Sequence, residues 1–424
     1  MSRLALPQRL PPQPWMSAPA TRRVLDALAA KGAEARFVGG CVRDAILGRP
    51  VKDIDIATHD PPEAVTGLLE AAGIKVVPTG LAHGTVTAIV GEAHFEITTL
   101  RRDVETYGRR AKVAFTVDWA ADAARRDLTV NALFAAPDGT LYDPFGGYED
   151  LLAGRIRFVG DARTRISEDV LRLLRFFRFY AHYGKPPPDA DALAACRELA
   201  PKLSTLSGER VAAETLKLLA APEPASVIAL MREEGILAQF LPEAGGVAVL
   251  RALVTVEGLG AGADALRRLA ALLDPARGAA GAEALAQRLR FSSAERERLA
   301  ALVAPSELPQ AEMPERLRRR LLYRLGAERF RDLALLAWAR EIAATGPSPR
   351  RAVEAWRAEL AAAALWTRPE LPVKGRDALE LGVPAGPAVG RLLAALEAWW
   401  IEEDFRPGRE ACLARLAALV PSAR

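Results

Sequence analysis

The chain has 424 residues, of which 50% are apolar, a formal net charge of +4 and a pI near 9.0. This length exceeds the ~100 to 200 residues of a usual domain, so we expect at least two domains, each with its own core. Charged residues interrupt every apolar stretch before the ~20 residues of a spanning helix, which excludes a membrane-spanning protein.

Two further features indicate the compartment. The first 19 residues carry five prolines and lack the apolar stretch of a secretory signal, so we expect no export. The cysteines fit neither a disulfide framework nor a Cys-x-x-Cys metal site, because there are only three, Cys41, Cys196 and Cys412, and they lie far apart. Both features predict a cytoplasmic protein.

The first third of the chain alternates strand and helix signals. Residues 1–20 are predicted to form an irregular, proline-rich arm, followed by a first helix over Thr21–Lys31. Alternation with period two predicts short strands at Arg36–Val38, Asp53–Ala57, Lys75–Val77, Thr85–Val90, His94–Thr98 and Asn131–Ala135. Helical spacing predicts Cys41–Leu47 and Pro62–Ala72. This pattern is typical of a mixed α/β domain, which ends near Arg157.

From about Ser167 onward, Leu, Ala and Arg recur at helical spacing, with prolines and glycines between the segments. No repeat of ~20 to 50 residues is present, so a solenoid is not predicted. The sequence therefore predicts an α+β protein, with a small mixed β-sheet domain followed by an all-helical remainder.

A glycine pair lies between the first predicted strand and the next helix. Gly39 and Gly40 allow a tight turn and a close approach of the backbone to a ligand. The free N–H groups at the start of the following helix suit an anion such as a triphosphate, and Arg43 in its first turn suits the same phosphates.

Acidic residues follow on neighbouring strands. Asp53 and Asp55 are two residues apart, so on a strand both carboxylates project from one face. Adjacent carboxylates repel unless a cation lies between them, and Mg²⁺ binds one or two carboxylates together with substrate phosphates. Glu96, polar between apolar neighbours, is a candidate third acid. These residues predict metal-assisted phosphoryl transfer, although alone each motif also fits an ordinary turn or a solvated strand end.

Two later segments are basic. Arg125-Arg126-Asp127, with Asn131 shortly after it, also fits an ordinary turn in which Asp127 caps the next segment of the chain. The segment Glu168–Phe179 is predicted to be one helix that places Asp169, Arg172, Arg175 and Arg178 along one stripe. The alternative for this stripe is a solvated helix face.

These segments together resemble the class II tRNA nucleotidyltransferases, which are the CCA-adding enzymes and their bacterial poly(A) polymerase relatives in the DNA polymerase β superfamily. The resemblance depends on ordered motifs over residues 36–215: Gly39-Gly40-x-Val42-Arg43-Asp44, Asp53-x-Asp55, Arg125-Arg126-Asp127 to Asn131-Ala132, Asp143-Pro144-Phe145-Gly146-Gly147, Glu168-Asp169-x-x-Arg172-x-x-Arg175-x-x-Arg178-Phe179, and Ser207-x-Glu209-Arg210 with Glu214. It implies a catalytic head (21–157), a nucleotide-selecting neck (158–220), a body (221–330) and a tRNA-binding tail (331–424).

The resemblance also implies residue roles. By the resemblance, Asp53 and Asp55 bind Mg²⁺ and are catalytic; Glu96 is the third catalytic acid that the strand pattern suggests. The remaining implied site residues bind the nucleotide: Gly39, Gly40 and Arg43 at the triphosphate, Arg126, Asp127 and Asn131 near ribose and phosphates, and Asp169 and Arg172 at the base, supported by Glu168, Arg175 and Arg178. An Asp/Arg pair suits the amino donor and ring-nitrogen acceptor that cytosine and adenine share and that uracil and guanine invert.

The resulting prediction is CCA addition to tRNA from CTP and ATP, with no DNA or membrane partner. The oligomeric state stays open. The alternatives are a poly(A) polymerase of the same family and a non-catalytic RNA-binding adaptor. The stretch Thr79–Thr87, which contains His83, resembles the CCA-adding form, and Arg101–Ala124 is long enough for the loop that CC-adding relatives lack. The last histidine is His182, so we expect no phosphohydrolase domain in the second half.

Overall fold

A computed structural model describes residues 9–81, 84–107 and 110–420, and the side chains of these except at 103–107 and 110–113. The interpretation of His83 therefore concerns a residue outside the described ranges, as does part of the predicted arm. Helices dominate after residue 145, and none of those in the described ranges combines the length and apolarity that crossing a lipid bilayer requires.

The N-terminal part contains a seven-stranded mixed sheet in the order β3-β4-β5-β2-β1-β8-β9. Neighbouring strands are antiparallel except β2 and β5, which run parallel. A separate hairpin is formed by β6 and β7. The strands are β1 Ala35–Val38, β2 Ile54–Thr58, β3 Lys75–Gly80, β4 Thr85–Val90, β5 Ala93–Thr99, β6 Arg101–Tyr107, β7 Arg110–Phe115, β8 Phe134–Ala135 and β9 Leu141–Tyr142.

The helices associated with the first part of the chain are α1 Pro14–Ser17, α2 Pro19–Ala29, α3 Gly40–Ile46, α4 Pro62–Ala71, α5 Trp119–Ala124, α6 Gly147–Ala153, α7 Ala162–Glu168, α8 Leu171–Tyr183, α9 Ala190–Leu199, α10 Gly208–Leu219, α11 Pro224–Glu233 and α12 Leu237–Phe240. The later helices are α13 Ala248–Glu257, α14 Ala265–Leu272, α15 Gly278–Arg288, α16 Ser293–Val303, α17 Glu315–Leu325, α18 Ala327–Thr345, α19 Arg350–Ala364, α20 Gly375–Glu380, α21 Pro387–Glu402 and α22 Arg409–Leu419.

The described chain divides into two compact units. The first contains the chain up to Ala244 together with Arg288–Arg290, and the second contains Gly245–Gln287 and the chain from Phe291. The α+β prediction is confirmed, because the first unit holds the sheet and the rest is helical. The finer division into head, neck, body and tail stays a prediction.

The core of the sheet follows from residue alternation. In β5, Phe95, Ile97 and Thr99 are buried while His94 and Glu96 are exposed, which is the period-two pattern of a strand with one covered face. A buried cluster beside it joins residues of β1, β2, β8, α5 and the connecting segments: Val38, Ala57, Leu100, Ala123, Ala132, Phe134 and Val159. This cluster fixes the sheet against the start of the hairpin and against α5.

Several expected elements differ in the structure. The strand expected at Asn131–Ala135 is a 3₁₀ turn at Thr129–Asn131 followed by the two-residue β8, because the side chain of Asn131 is bonded within a polar cluster. The first helix, α2, begins at Pro19 rather than Thr21 and follows the short α1; proline opens both, as suits a first helical position. The segment Arg101–Ala124, which is long enough for the expected loop, holds the β6–β7 hairpin and α5.

The helix expected over Glu168–Phe179 is in fact two. Asp169 has φ −151° and ψ 106°, so α7 ends at Glu168 and α8 begins at Leu171. The Asp169 carboxylate accepts the N–H of Leu171 at 3.2 Å, a local bond that competes with helix continuation. The prediction that Asp169 lies on one helical stripe with the arginines is therefore wrong.

Candidate active site

The turn between β1 and α3 opens a cleft in the first unit. Gly39 has φ +69°, which favours glycine, and its N–H donates to the carbonyl of Leu133 at 3.0 Å. A cleft of about 410 Å³ lies beside this turn, and its lining is Gly39, Gly40, Arg43, Asp55, Arg125, Arg126, Asp127, Asn131, Asp169, Arg172, Arg175 and Phe179. Residues from four separate predicted motifs therefore surround one space.

The predicted acids meet at the sheet. Asp55 of β2 is paired directly with Glu96 of the parallel strand β5, and Asp53 immediately precedes β2. The pKa of Asp55 is raised to about 6. Burial is the largest cause and the charges of Glu96 and Asp53 act in the same direction, whereas Arg126 and Arg43 oppose them. The structure thus brings the three acids together, with the guanidinium groups of Arg126 and Arg43 near Asp55.

This donor set fits a hard divalent cation. Carboxylate oxygens are the ligands that Mg²⁺ prefers, and the repulsion that raises the pKa of Asp55 is the interaction that a bound cation relieves. Among the described residues, no group of three His, Cys, Asp or Glu side chains has an arrangement that could hold a metal by itself. The two-carboxylate arrangement that Mg²⁺ uses with substrate phosphates is the one that fits.

A chain of hydrogen bonds joins α3 to α8 along the floor of the cleft. Arg43 donates from Nη1 to Oδ1 of Asn131 at 2.6 Å, and Nδ2 of Asn131 donates to Oδ1 of Asp127 at 3.0 Å. Arg175 donates from Nε to Oδ2 of Asp127 at 2.6 Å. Burial raises the pKa of Asp127, but the charge of Arg175 and the Asn131 amide outweigh it and hold the pKa well below its usual range.

Arg125 and Arg126 share one buried carboxylate. Asp122 of α5 is 1% exposed, and it receives Nε of Arg125 at 2.8 Å and Nη2 of Arg126 at 3.0 Å. It also accepts the backbone N–H of Arg101, the first residue of β6, at 3.2 Å. The pKa of Asp122 is lowered, because these arginines outweigh the effect of burial. This residue orients two arginines of the cleft.

The predicted base-reading residues lie at the break between α7 and α8. Nη2 of Arg210 on α10 donates to Oδ2 of Asp169 at 2.7 Å. Arg172 donates to the carbonyl of Arg165 at 3.0 Å and pairs with Glu168. Asp169 and Arg172 both line the cleft, so the break in the helix places an acceptor next to a donor there.

Arg178 is one of four predicted site residues that do not line the cleft, the others being Asp53, Glu96 and Glu168. Arg178 pairs with the buried Glu214 on α10, at 3.2 Å from Nε, and its guanidinium carbon lies 4.5 Å from the centroid of the Phe179 ring. Residues that the prediction omitted line the cleft instead: Arg125, in the basic segment, and Phe179. The signal for Phe179 is its spacing, because it follows Arg175 by four residues and shares its face of α8.

Carboxylates clustered on two interior strands of the sheet, beside an arginine-lined cleft, are the arrangement of a nucleotidyltransferase head. Residues 35–157 match the poly A polymerase head domain, and residues 188–245 match the probable RNA and SrmB-binding site of polymerase A. The chain is 36% identical over 395 residues to CCA tRNA nucleotidyltransferase 1, mitochondrial, of Danio rerio, covering 91% of this chain and 87% of that protein. It is 35% identical to the CCA-adding enzyme of Geobacillus stearothermophilus, over 88% and 90% of the two chains.

Solved structures agree with these matches. The crystal structure of Bacillus stearothermophilus CCA-adding enzyme in complex with CTP superposes with a TM-score of 0.72 at 29% identity, covering 96% of this chain and 98% of that one. The Thermotoga maritima CCA-adding enzyme complexed with tRNA shares the fold, with a TM-score of 0.59 at 18% identity over 94% of each chain. The chain belongs to the CCA-adding tRNA nucleotidyltransferase family.

Proposed function

We propose that this chain adds C, C and A to the 3′ end of tRNA, using CTP and ATP. The observation that carries the proposal is one cleft that Asp55, paired with Glu96 on the neighbouring strand, lines together with Arg43, Arg126, Asp169 and Arg172. A carboxylate for phosphoryl transfer, donors for phosphates and a donor/acceptor pair for a base edge thus line one nucleotide-sized space. Family membership supports the same activity.

The proposed reaction is displacement at the α-phosphate. The 3′ hydroxyl of the tRNA loses its proton to solvent as its oxygen forms a bond to the α-phosphorus, the bond to the bridging oxygen of the β-phosphate breaks, and pyrophosphate leaves. Asp53 and Asp55 would hold Mg²⁺, which would activate the attacking hydroxyl and neutralise the phosphate charge. Glu96 is the proposed third acid. Arg43 and Arg126, with the backbone at Gly39 and Gly40, orient the triphosphate.

In the proposed mechanism, side chains at the break between α7 and α8 select the base. The Asp169 carboxylate accepts from the exocyclic amino group of cytosine or adenine, and Arg172 donates to the adjacent ring nitrogen. Arg210 and Glu168 hold these two side chains. Uracil and guanine invert the pattern and leave groups unpaired, at a cost of ~1 to 3 kcal/mol per group. Asp127, Asn131 and Arg175 form the floor that the ribose and phosphates contact.

The proposed organisation has the head at 21–157, the neck at 158–220, the body at 221–330 and the tail at 331–424, with the tRNA held along the helical parts and the protein in the cytoplasm.

The activity is tested by resolving the extended tRNA on a gel. A tRNA that lacks its 3′ end is incubated with CTP, with ATP, with both, with UTP and with GTP. CTP alone should add two residues and both nucleotides three, with almost no addition from UTP or GTP. A long adenosine ladder identifies a poly(A) polymerase instead, and an unextended tRNA identifies a binding adaptor.

A further inference from the structure

Tyr183, in the last turn of α8, contacts the head at the residue that the proposed function places on the triphosphate. Its hydroxyl donates to Oδ1 of Asp44 at 2.9 Å, and its ring centroid lies 4.4 Å from the guanidinium carbon of Arg43. The residue is half-buried. Nothing in the reaction uses the phenol itself, so its contacts require another explanation.

The guanidinium group of Arg43 is held by hydrogen bonds along its edges as well as by the Tyr183 ring on its face. It donates to both carboxylate oxygens of Asp44, from Nε and from Nη2, each at 3.1 Å, and from Nη1 to Asn131 at 2.6 Å. Tyr183 contacts this assembly twice, through the ring next to the guanidinium and through the hydroxyl on the same Asp44 oxygen that accepts Nε. A guanidinium has five N–H donors, so two remain to meet a phosphate.

The placement of Tyr183 follows from helix geometry. Arg175, Phe179 and Tyr183 succeed one another at intervals of four residues and therefore share one face of α8. Arg175 and Phe179 on this face line the cleft. Arg49 contacts the same ring at 4.5 Å and donates to the carbonyl of His182 at 3.0 Å, which fixes the end of α8 beside α3. Burial raises the pKa of Tyr183 above an ordinary value that already lies well above neutral pH, so the hydroxyl is protonated and can donate.

We infer that Tyr183 is a positioning residue for the triphosphate: it acts through Asp44 and Arg43, and fixes the plane in which Arg43 presents its two remaining donors. This inference rests on the proposed function, which assigns the triphosphate to Arg43. It makes α8 responsible for orienting the phosphates as well as for contributing Arg172 to base selection.

The test compares Tyr183→Phe and Tyr183→Leu in the full chain. Tyr180→Phe is the matched control, because Tyr180 lies on the same helix but stacks on the buried Phe176, with ring centroids 6.2 Å apart. The first readout is the Kd of magnesium tripolyphosphate, an inorganic probe without a base, measured by calorimetry. We expect it to rise roughly threefold in Tyr183→Phe, which loses one hydrogen bond, and roughly tenfold in Tyr183→Leu, which also loses the ring.

Kinetics on tRNA give the second readout. KM for CTP and for ATP should rise together in Tyr183→Phe, while KM for tRNA and the preference for CTP over UTP stay at wild-type values. In an Arg43→Ala background, Tyr183→Phe should cause no further loss of tripolyphosphate binding, because the group through which it acts is gone.

An unchanged tripolyphosphate Kd in Tyr183→Phe, or an additive loss in the Arg43→Ala background, overturns the inference. So does an equal loss in Tyr180→Phe, which would indicate a general effect on α8. Failure of the proposed function is distinguishable, because the wild-type protein would then leave tRNA unextended, whereas the calorimetric comparison would still decide the role of Tyr183.

Discussion

Asp55 and Glu96 lie directly opposite each other on parallel strands, so two carboxylates are forced together by backbone pairing. We predict that Asp53→Asn and Asp55→Asn each lower kcat by ~1,000-fold or more, because a group that binds the metal stabilises the transition state by several kcal/mol. Binding of tRNA, measured by filter retention, should stay near wild type. Asp60→Asn, an acid beyond the other end of β2, is the control. Activity of either variant within tenfold of wild type contradicts the assignment.

Selection should separate from catalysis at Asp169. Asp169→Ala removes the acceptor for the amino group, so discrimination against UTP and GTP should fall by ~1 to 3 kcal/mol while incorporation continues. Arg172→Ala should weaken the use of CTP and ATP. The measurement is kcat/KM for all four nucleotides on one tRNA. Arg163→Ala is the control, since Arg163 lies on α7 in an exposed pair with Glu198. Unchanged ratios in the Asp169 variant remove this residue from selection.

The elements around the cleft depend on one buried acid, because Asp122 on α5 connects the first residue of β6 to Arg125 and Arg126. Asp122→Asn removes the buried negative charge on which the two partly buried guanidinium groups converge. We predict a loss of ~2 to 4 kcal/mol in the free energy of unfolding, measured by urea denaturation. Asp118→Asn, at the N-cap of the same helix, is the matched control, because asparagine also caps a helix and should change stability by only a few tenths of a kcal/mol.

The difference in the free energy of unfolding between wild type and Asp122→Asn should depend on pH in a defined direction. The pKa of Asp122 is lowered by folding, so its contribution is fully present above its unfolded pKa of 3.8 and is lost as the pH falls through the lower folded value. The gap between wild type and Asp122→Asn should therefore be widest near neutral pH and should shrink below about pH 4. A gap that widens on acidification would contradict a stabilising carboxylate at this position.

The sequence predicted most of the elements whose pattern is local. β4 has the predicted bounds, and β5 extends one residue beyond them at each end, since alternation of buried and exposed side chains is visible in the sequence. The 3₁₀ turn at Asn131 was missed because the side chain binds Arg43, 88 residues away. The break at Asp169 was missed for a similar reason, because Arg210 holds its carboxylate from 41 residues away. Such partners are not visible in a pattern of neighbouring residues.

The same limit applies to the site. The acids and the glycine turn were predictable, because spacing along one strand or turn defines them. That Arg178 pairs with Glu214 while Phe179 lines the cleft depends on how α8 packs against α10. Helical spacing gives the set of residues on a face, but the rotation of that face toward a neighbour is decided by packing.

Over the whole molecule, the sheet with its acids and the cleft occupy the first unit, and a helical second unit comes after it in the chain. If the helical parts hold the tRNA by its phosphates, affinity should fall by roughly tenfold or more between about 50 and 200 mM salt. Recognition of shape also means that affinity should depend little on the sequence of the tRNA body. Fluorescence anisotropy at a series of salt concentrations measures both. A single-stranded RNA of equal length is the competitor, and equal competition by it contradicts tRNA specificity.

The positive charge of the cleft, unlike that expected of the tRNA-binding helical parts, is largely balanced by the protein's own carboxylates. The five arginines of the cleft are each paired with a carboxylate of the protein: Arg43 with Asp44, Arg125 and Arg126 with Asp122, Arg172 with Glu168, and Arg175 with Asp127. A single phosphate group gains little from a surface whose charge is already largely balanced in this way. Inorganic phosphate should therefore bind weakly, whereas a chain of phosphates, such as the triphosphate of a nucleotide, can contact several of these arginines at once.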